Sequence, residues 1–220
     1  MNAGSDAQVV RWQYFRQSPC CCPRRSHTSK TASHNETWAL NTNAEHDPNV
    51  YDRRGLLAEV RRGFTLDWAG HHGANHWGRV RCHALAIARA RGADVLVAEL
   101  FAFLHDSQRH DEWKDPGHGA RGAEYARALQ GRFFDLRPAQ VDRLAHAIRH
   151  HSGGEVSTDA TIQTCWDADR LDLGRVRIKP RDEFLSEEGA RRITLAYAWS
   201  RGDARRHKQS SGGSIFEPAT

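Results

Sequence analysis

The chain has 220 residues, 39% hydrophobic and 27% charged, which is enough for one domain with a sizeable core plus tails. No apolar run approaches the ~18 residues of a membrane span. The opening MNAGSDAQVVRWQYFRQ lacks the unbroken apolar stretch of a signal peptide, so the expectation is a cytoplasmic protein without a membrane partner. The net charge of +5 is spread unevenly. Residues 1–54 carry 7 Lys/Arg against 5 Asp/Glu, residues 201–220 carry 4 against 2, and the middle carries 21 against 20. A basic balance that resides in the ends argues against a nucleic-acid surface.

Residues 1–54 are rich in Ser, Thr, Asn, Pro and Arg with no sustained period, and read as a disordered or loosely ordered segment. Cys20, Cys21 and Cys22 are consecutive, poor geometry for a disulfide framework or a four-cysteine zinc site. From 55 to 200 the pattern is helical, without alternating β-branched runs. A short helix is expected over 55–62. A second starts near His76, with Val80, Ala84 and Ile87 at helical spacing, and ends at Gly92. The third, ADVLVAELFAFLHD, is apolar on almost every side and belongs at the centre of a bundle. A fourth is expected over 118–134, and a fifth from Pro138, a favourable first-turn residue, to His151. A sixth spans 159–172 and a last one 184–200. Cys82 and Cys165 lie in apolar helical contexts and read as small buried hydrophobes. Residues 201–220 read as a flexible tail.

Histidine is a common metal ligand, and carboxylates suit hard or borderline ions. His76 shares a helix face with Val80 and Ile87. His105 and Asp106 end the most buried helix. Asp169 falls on the face of Ile162, Cys165, Trp166 and Leu173, whereas Asp167 is rotated away by roughly 200°. One polar residue on an apolar face is usually a hydrogen-bonded core residue. Two carboxylates beside two imidazoles on such faces make sense around a cation, because unpaired buried carboxylates are costly.

The order of these residues is familiar: a lone His, an adjacent His-Asp ending an apolar helix, then a distant Asp. With the local strings HWGRV, FAFLHD and DADRLD, it resembles the HD-domain superfamily over about residues 55–200. The string CWDADRLDLGRV is similar to a subgroup of small HD proteins, for which the resemblance supplies no substrate. The resemblance implies an all-α, single-domain helical bundle and a divalent metal held by His76, His105, Asp106 and Asp169. It also implies phosphohydrolase chemistry, in which the metal activates a water and polarises a phosphoryl oxygen. The substrate would then be a small phosphorylated molecule, a nucleotide or another metabolite. The mixed ligands suit Mn, Fe, Co, Ni or Zn, with Mg also admissible, as one or two ions.

Some HD hydrolases carry catalytic acids just after the His-Asp pair. Here Ser107, Gln108 and Arg109 follow. Asp106 and Arg109 are the catalytic candidates, and Arg109, which suits a phosphate oxygen, is also a candidate for substrate contact. Asp111 and Glu112 are weaker candidates for a general base. His118 stands at a helix start, where unpaired N–H groups favour an anion, and His151 lies on an inward face. Both fall in the interval where some HD proteins hold a second metal, so they are candidates for a second ion, a supporting shell or phosphate contact. Two other signals are set aside. GHGARG over 117–122 matches a dinucleotide-binding pattern but follows a polar loop, and His71-His72 read as an exposed entry segment. Two other functions fit the same ligands: a di-iron oxygenase, or a non-catalytic metal-stabilised module that binds a nucleotide.

Overall fold

The structure is a computed structural model that describes residues 51–210, with side chains to Gly202. The expected N-terminal segment up to residue 50 and the last ten residues of the expected tail lie outside the described residues. Among the described residues the fold is all α. The helices are α1 (Arg53–Gly63), α2 (Ala74–Arg91), α3 (Val95–Leu104), α4 (His118–Leu129), α5 (Pro138–His150), α6 (Ala160–Arg170), α7 (Glu187–Ala190) and α8 (Ile193–Ser210). No helix among them is long and apolar enough to cross a membrane.

Local chemistry sets most boundaries. The side chains of Asp52, Asp94 and Asp159 each accept main-chain N–H bonds at the starts of α1, α3 and α6. Each such cap contributes about 1 kcal/mol. Gly92, at φ 66°, ends α2 in the left-handed region that glycine adopts without strain. Helix α1 begins at Arg53, ahead of the expected 55, and Tyr51 already packs against the core.

Helix α3 is the axis of the bundle. Its residues from Val97 to Leu104 are all buried, and α2, α5 and α6 pack around it. Phe101, Leu104, Leu144, Ile148 and Trp166 are almost fully buried, at about 1.5–3 kcal/mol each. Packing therefore outweighs capping in fixing the bundle. The one charged residue in that run, Glu99, is paired with Arg53 at 2.9 Å and Arg81 at 2.5 Å, as a buried carboxylate must be. Trp166 donates its indole N–H to the Ala147 carbonyl at 2.9 Å and ties α6 to α5.

Helix α4 lies unusually close to its neighbours. A Cβ on Gly119 would stand 2.6 Å from the Arg149 carbonyl oxygen, and one on Gly122 would stand 2.9 Å from Ile148 Cγ2 and 3.2 Å from the His105 oxygen. Gly119 and Gly122 of GHGARG thus serve helix–helix approach.

Two expected elements differ. The fourth helix stops at Leu129, where a turn follows, rather than at 134. The expected helix over 184–200 is instead a 3-10 turn (Asp182–Phe184), the short α7 and then α8, which runs on to Ser210. The break has a tertiary cause. Ser186 caps α7 and donates through N–H and O–H to the buried Asp167 carboxylate, which holds this segment extended before the chain turns again.

Candidate metal centre

Four helix ends and one helix face bring the polar residues together. His76 comes from the first turn of α2, His105 and Asp106 from the end of α3, His118 from the start of α4, His151 from the end of α5, and Asp169 from α6. His76, His105, Asp106, His118 and His151 are at most 4% exposed, and Asp169 is 8% exposed. In a bundle interior this is an expensive collection unless something neutralises it.

The imidazoles form two pairs. His76 Nε2 lies 3.0 Å from His105 Nε2, and His118 Nε2 lies 3.0 Å from His151 Nε2. Every Nδ1 is already committed. His76 Nδ1 meets Asp172 at 2.7 Å, His105 Nδ1 meets the Phe101 carbonyl at 3.2 Å, and His151 Nδ1 meets the Ile148 carbonyl at 2.7 Å. His118 Nδ1 meets the Asp115 carbonyl. Carbonyls and an ionised carboxylate only accept, so the proton is assigned to Nδ1 in each ring and the Nε2 lone pairs face one another. Two facing lone pairs are repulsive unless a proton or cation lies between them.

Asp106 links the pairs. One of its oxygens stands 3.4 Å from both His76 and His105 Nε2, and the other stands 3.4 Å from His118 and 3.5 Å from His151. Asp169 Oδ1 is 3.4 Å from His76 and 3.7 Å from His105, is buried, and accepts no hydrogen bond among the described residues. Ligand atoms of His76, His105 and Asp106, of His105, His151 and Asp169, and of Asp106, His118 and His151 each lie within 4.8 Å of one another. Imidazole Nε2 atoms, a two-sided carboxylate and an orphaned buried oxygen fit a divalent cation. The cluster can therefore hold a metal ion.

The electrostatics agree with this. Burial alone would raise the Asp106 carboxyl, but the surrounding imidazoles, His105 foremost, hold it well below the usual carboxylate range. Asp169 is lowered likewise, against its own burial, by His105 and Arg175. Burial pushes His105 and His118 down. His151 is raised despite burial, because the Asp106 carboxylate stands 3.5 Å from its Nε2 and favours the charged ring. Two imidazoles 3.0 Å apart cannot both be charged.

Of the other sequence candidates, Arg109 is 8% exposed. It donates to His118 Nε2 at 3.2 Å and lies 3.4 Å from Asp106. Asp167 points away from the cluster to Ser186 and Gln163. Asp111 is exposed and caps its own loop through Trp113 and Lys114 N–H.

His72, expected to be exposed, is only 7% exposed and bonds Glu112 at 2.6 Å. Burial drives the His72 imidazole down to about 3 and raises the Glu112 carboxyl. Its ring lies 6.2 Å from that of His76. The sequence signal was its place four residues before His76, hidden because α2 starts only at Ala74.

Asp172 was missed altogether. It is fully buried, binds His76 Nδ1, and receives Arg79 Nε at 2.6 Å and NH2 at 3.0 Å. Burial would raise its carboxyl, yet Arg79 keeps it far below the usual range. Its position three residues after Asp169 was the available hint. Arg175 was also missed. Its Nε donates to the His71 carbonyl at 3.0 Å, and its NH1 stands 3.9 Å from Asp169.

The cluster opens on a cavity of about 360 Å³. Asp106, Asp169, His151 and Arg109 form the inner wall, and Arg170, Arg175, Lys179 and Arg181 bring positive charge to the rest.

A helical bundle organised around such a cluster defines a class, the metal-binding His/Asp helical domains. Comparison with known proteins narrows it. The HD domain family matches residues 73–187, more than half of the chain, and the protein belongs to that family. A crystal structure of a predicted HD superfamily hydrolase from an uncultured Thermotogales bacterium is similar, with 29% sequence identity and a TM-score of 0.55. The match covers 74% of this chain and 94% of that one. No curated protein matches.

Proposed function

We propose that the protein is a metal-dependent phosphohydrolase that cleaves a phosphate ester of a small molecule. The observation that carries this reading is the placement of a carboxylate-bridged double histidine cluster at the inner end of an arginine-lined cavity. His76, His105, Asp106 and Asp169 would hold one divalent ion. His118, His151 and the second oxygen of Asp106 would hold another. Bound there, such an ion supplies Lewis acidity and a water of lowered pKa.

The remaining work falls to side chains already in position. Arg109 lies against Asp106 and lines the cavity, where a planar guanidinium can take two phosphoryl oxygens at once. Arg175, held by the His71 and Asp172 carbonyls, presents a fixed positive charge from the opposite side. Asp172 keeps the His76 proton on Nδ1, so that Nε2 stays free to ligate. The imidazole and carboxylate donors are those favoured by Mn, Fe, Co, Ni and Zn.

The double cluster equally suits a di-iron oxygenase. The cationic cavity favours phosphoryl chemistry, because an oxygenase acting on a neutral substrate has no use for converging guanidinium groups. The test is metal analysis of the protein beside its His105→Ala and Asp169→Ala variants, with a panel of phosphate esters assayed in Mn, Co, Ni or Mg. Metal should be lost from both variants, and at least one ester class should turn over. Unchanged metal content, or no turnover across the panel, overturns the reading. Two irons per chain with oxygen consumption selects the oxygenase.

A further inference from the structure

We infer that this cavity selects a phosphate ester carrying at least one further phosphoryl group, which Lys179 and Arg181 read. The inference rests on the phosphohydrolase reading and deepens it.

The first support is a charge balance. Asp106 and Asp169 are the carboxylates of the cavity wall, against the cations Arg109, Arg170, Arg175, Lys179 and Arg181. A single divalent ion would cancel the two carboxylates, leaving five side-chain cations. A phosphomonoester dianion balances two, and Arg109 and Arg175, which already stand 3.4 Å from Asp106 and 3.9 Å from Asp169, are placed to meet it. The outer cations then exceed what one phosphoryl group uses. Arg170 donates to neutral main-chain carbonyls, those of Phe184 and Glu155, and has no ion pair among the described residues. Lys179 has no ion pair among the described residues. Arg181 pairs with Glu183, but both are more than half exposed, and such a pair is worth little and is easily exchanged for a ligand.

The second support is rigidity. Lys179 and Arg181 sit on a strap between Arg177 and Ser186 that is pinned at both ends. Ile178 N–H donates to the Leu173 carbonyl at 3.1 Å, and Arg170 grips the Phe184 carbonyl at 2.6 Å. Gln163 bonds both the Phe184 carbonyl and Asp167, to which Ser186 N–H also donates at 3.1 Å. Arg170 and Asp167 flank Asp169 on α6, so the strap is anchored to the helix that carries a candidate ligand. The backbone that carries the outer cations is thereby held at a set distance from the ion cluster before any ligand enters, which lowers the ordering cost of specificity by position.

The strap also supplies an apolar wall. Phe184 is flanked by the guanidinium groups of Arg170 and Arg181, 5.9 and 4.7 Å from its ring centre. Ile178 leaves 53% of its surface exposed at the cavity. A flat organic group resting there would leave its phosphoryl chain between the strap cations and the ions.

The test uses the full chain with Mn in excess over nucleotide. Isothermal titration would compare phosphonate analogues of adenosine diphosphate and adenosine monophosphate, in which carbon replaces the ester oxygen and, in the diphosphate, the bridging oxygen as well. The wild-type Kd for the monophosphate analogue should exceed that for the diphosphate analogue by roughly ten-fold, equivalent to about 1.4 kcal/mol. In the K179Q/R181Q double variant that ratio should fall to within about three-fold. Both side chains face solvent, and a thermal melt checks that the variant is folded, with K179Q alone as the milder form. Equal wild-type Kd values, or a ratio that the variant leaves unchanged, overturn the inference. Selective diphosphate binding without turnover of any ester upholds it while sinking the phosphohydrolase reading. Turnover of monoesters with equal Kd values does the reverse.

Discussion

The close approach of α4 to α5 makes Gly119→Ala the most informative single change. The added Cβ would lie 2.6 Å from the Arg149 carbonyl oxygen, 3.0 Å from that of Ile148 and 3.2 Å from the Arg149 carbonyl carbon. All three are main-chain atoms and cannot rotate aside. Ordinary contact begins at 3.4 Å, so the helices must part locally by roughly 0.8 Å. Overpacking of this kind costs about 1–3 kcal/mol, against a helix-propensity gain of about 1 kcal/mol for Ala over Gly. The net expectation is a loss of up to about 2 kcal/mol, read as a lower midpoint in urea with unchanged slope. The displacement falls between His118 and His151, which flank the two strained segments. Metal content should therefore drop toward one ion per chain, with the ion at His76, His105, Asp106 and Asp169 retained. Gly63→Ala is the control, since nothing lies within 4 Å of a Cβ there. It should be neutral or stabilising by up to about 1 kcal/mol. A Gly119→Ala protein as stable as wild type with full metal content would refute the argument that these glycines set the distance between the histidines.

Asp172→Asn should raise the metal dissociation constant by about ten- to a hundred-fold. The amide no longer fixes the Nδ1–H form of His76 and leaves the Arg79 charge poorly matched; competition with a chromogenic chelator reads the change, and an unaltered constant would contradict the orienting role. The buried His83, whose Nε2 bonds nothing among the described residues, makes stability depend on pH. Burial lowers its imidazole to about 4 from an ordinary 6.5. Between those values the unfolded chain binds the proton and the folded chain does not. Stability is therefore full above about 6.5, declines as pH falls, and levels off below about 4 after a loss of about 3 kcal/mol. Denaturation of His83→Gln alongside wild type should show their stability difference moving by that amount across the window, and a pH-independent difference would count against it.

The sequence alone determined the helical class and the order of the helices, because these depend on contacts within a few residues. Periodicity placed α2, α3, α5 and α6. Asp94, Asp159 and Gly92 set ends by bonding their own neighbours. The unbroken apolar run of α3 put it at the centre, since no other place in a bundle covers every side of a helix. Helical phase also separated Asp169, which faces the imidazoles, from Asp167, which faces Ser186.

Tertiary structure decided what depends on partners far apart in the chain. Asp172 and Arg175 meet residues 96 and 104 positions away, and beyond the spacing of Asp172 from Asp169 nothing local distinguishes them from surface charges. His72 is buried only because the loop after Asp106 folds back to bring Glu112 against it. Gly119 acquires its meaning from the backbone of α5, and Gly122 from Ile148 and the carbonyls that end α3. The periodic stretch over 184–200 is interrupted because a buried carboxylate on α6 needs donors and draws Ser186 to it. A helix carries its own pattern in its sequence, whereas a buried charge is satisfied by whatever the fold delivers to it.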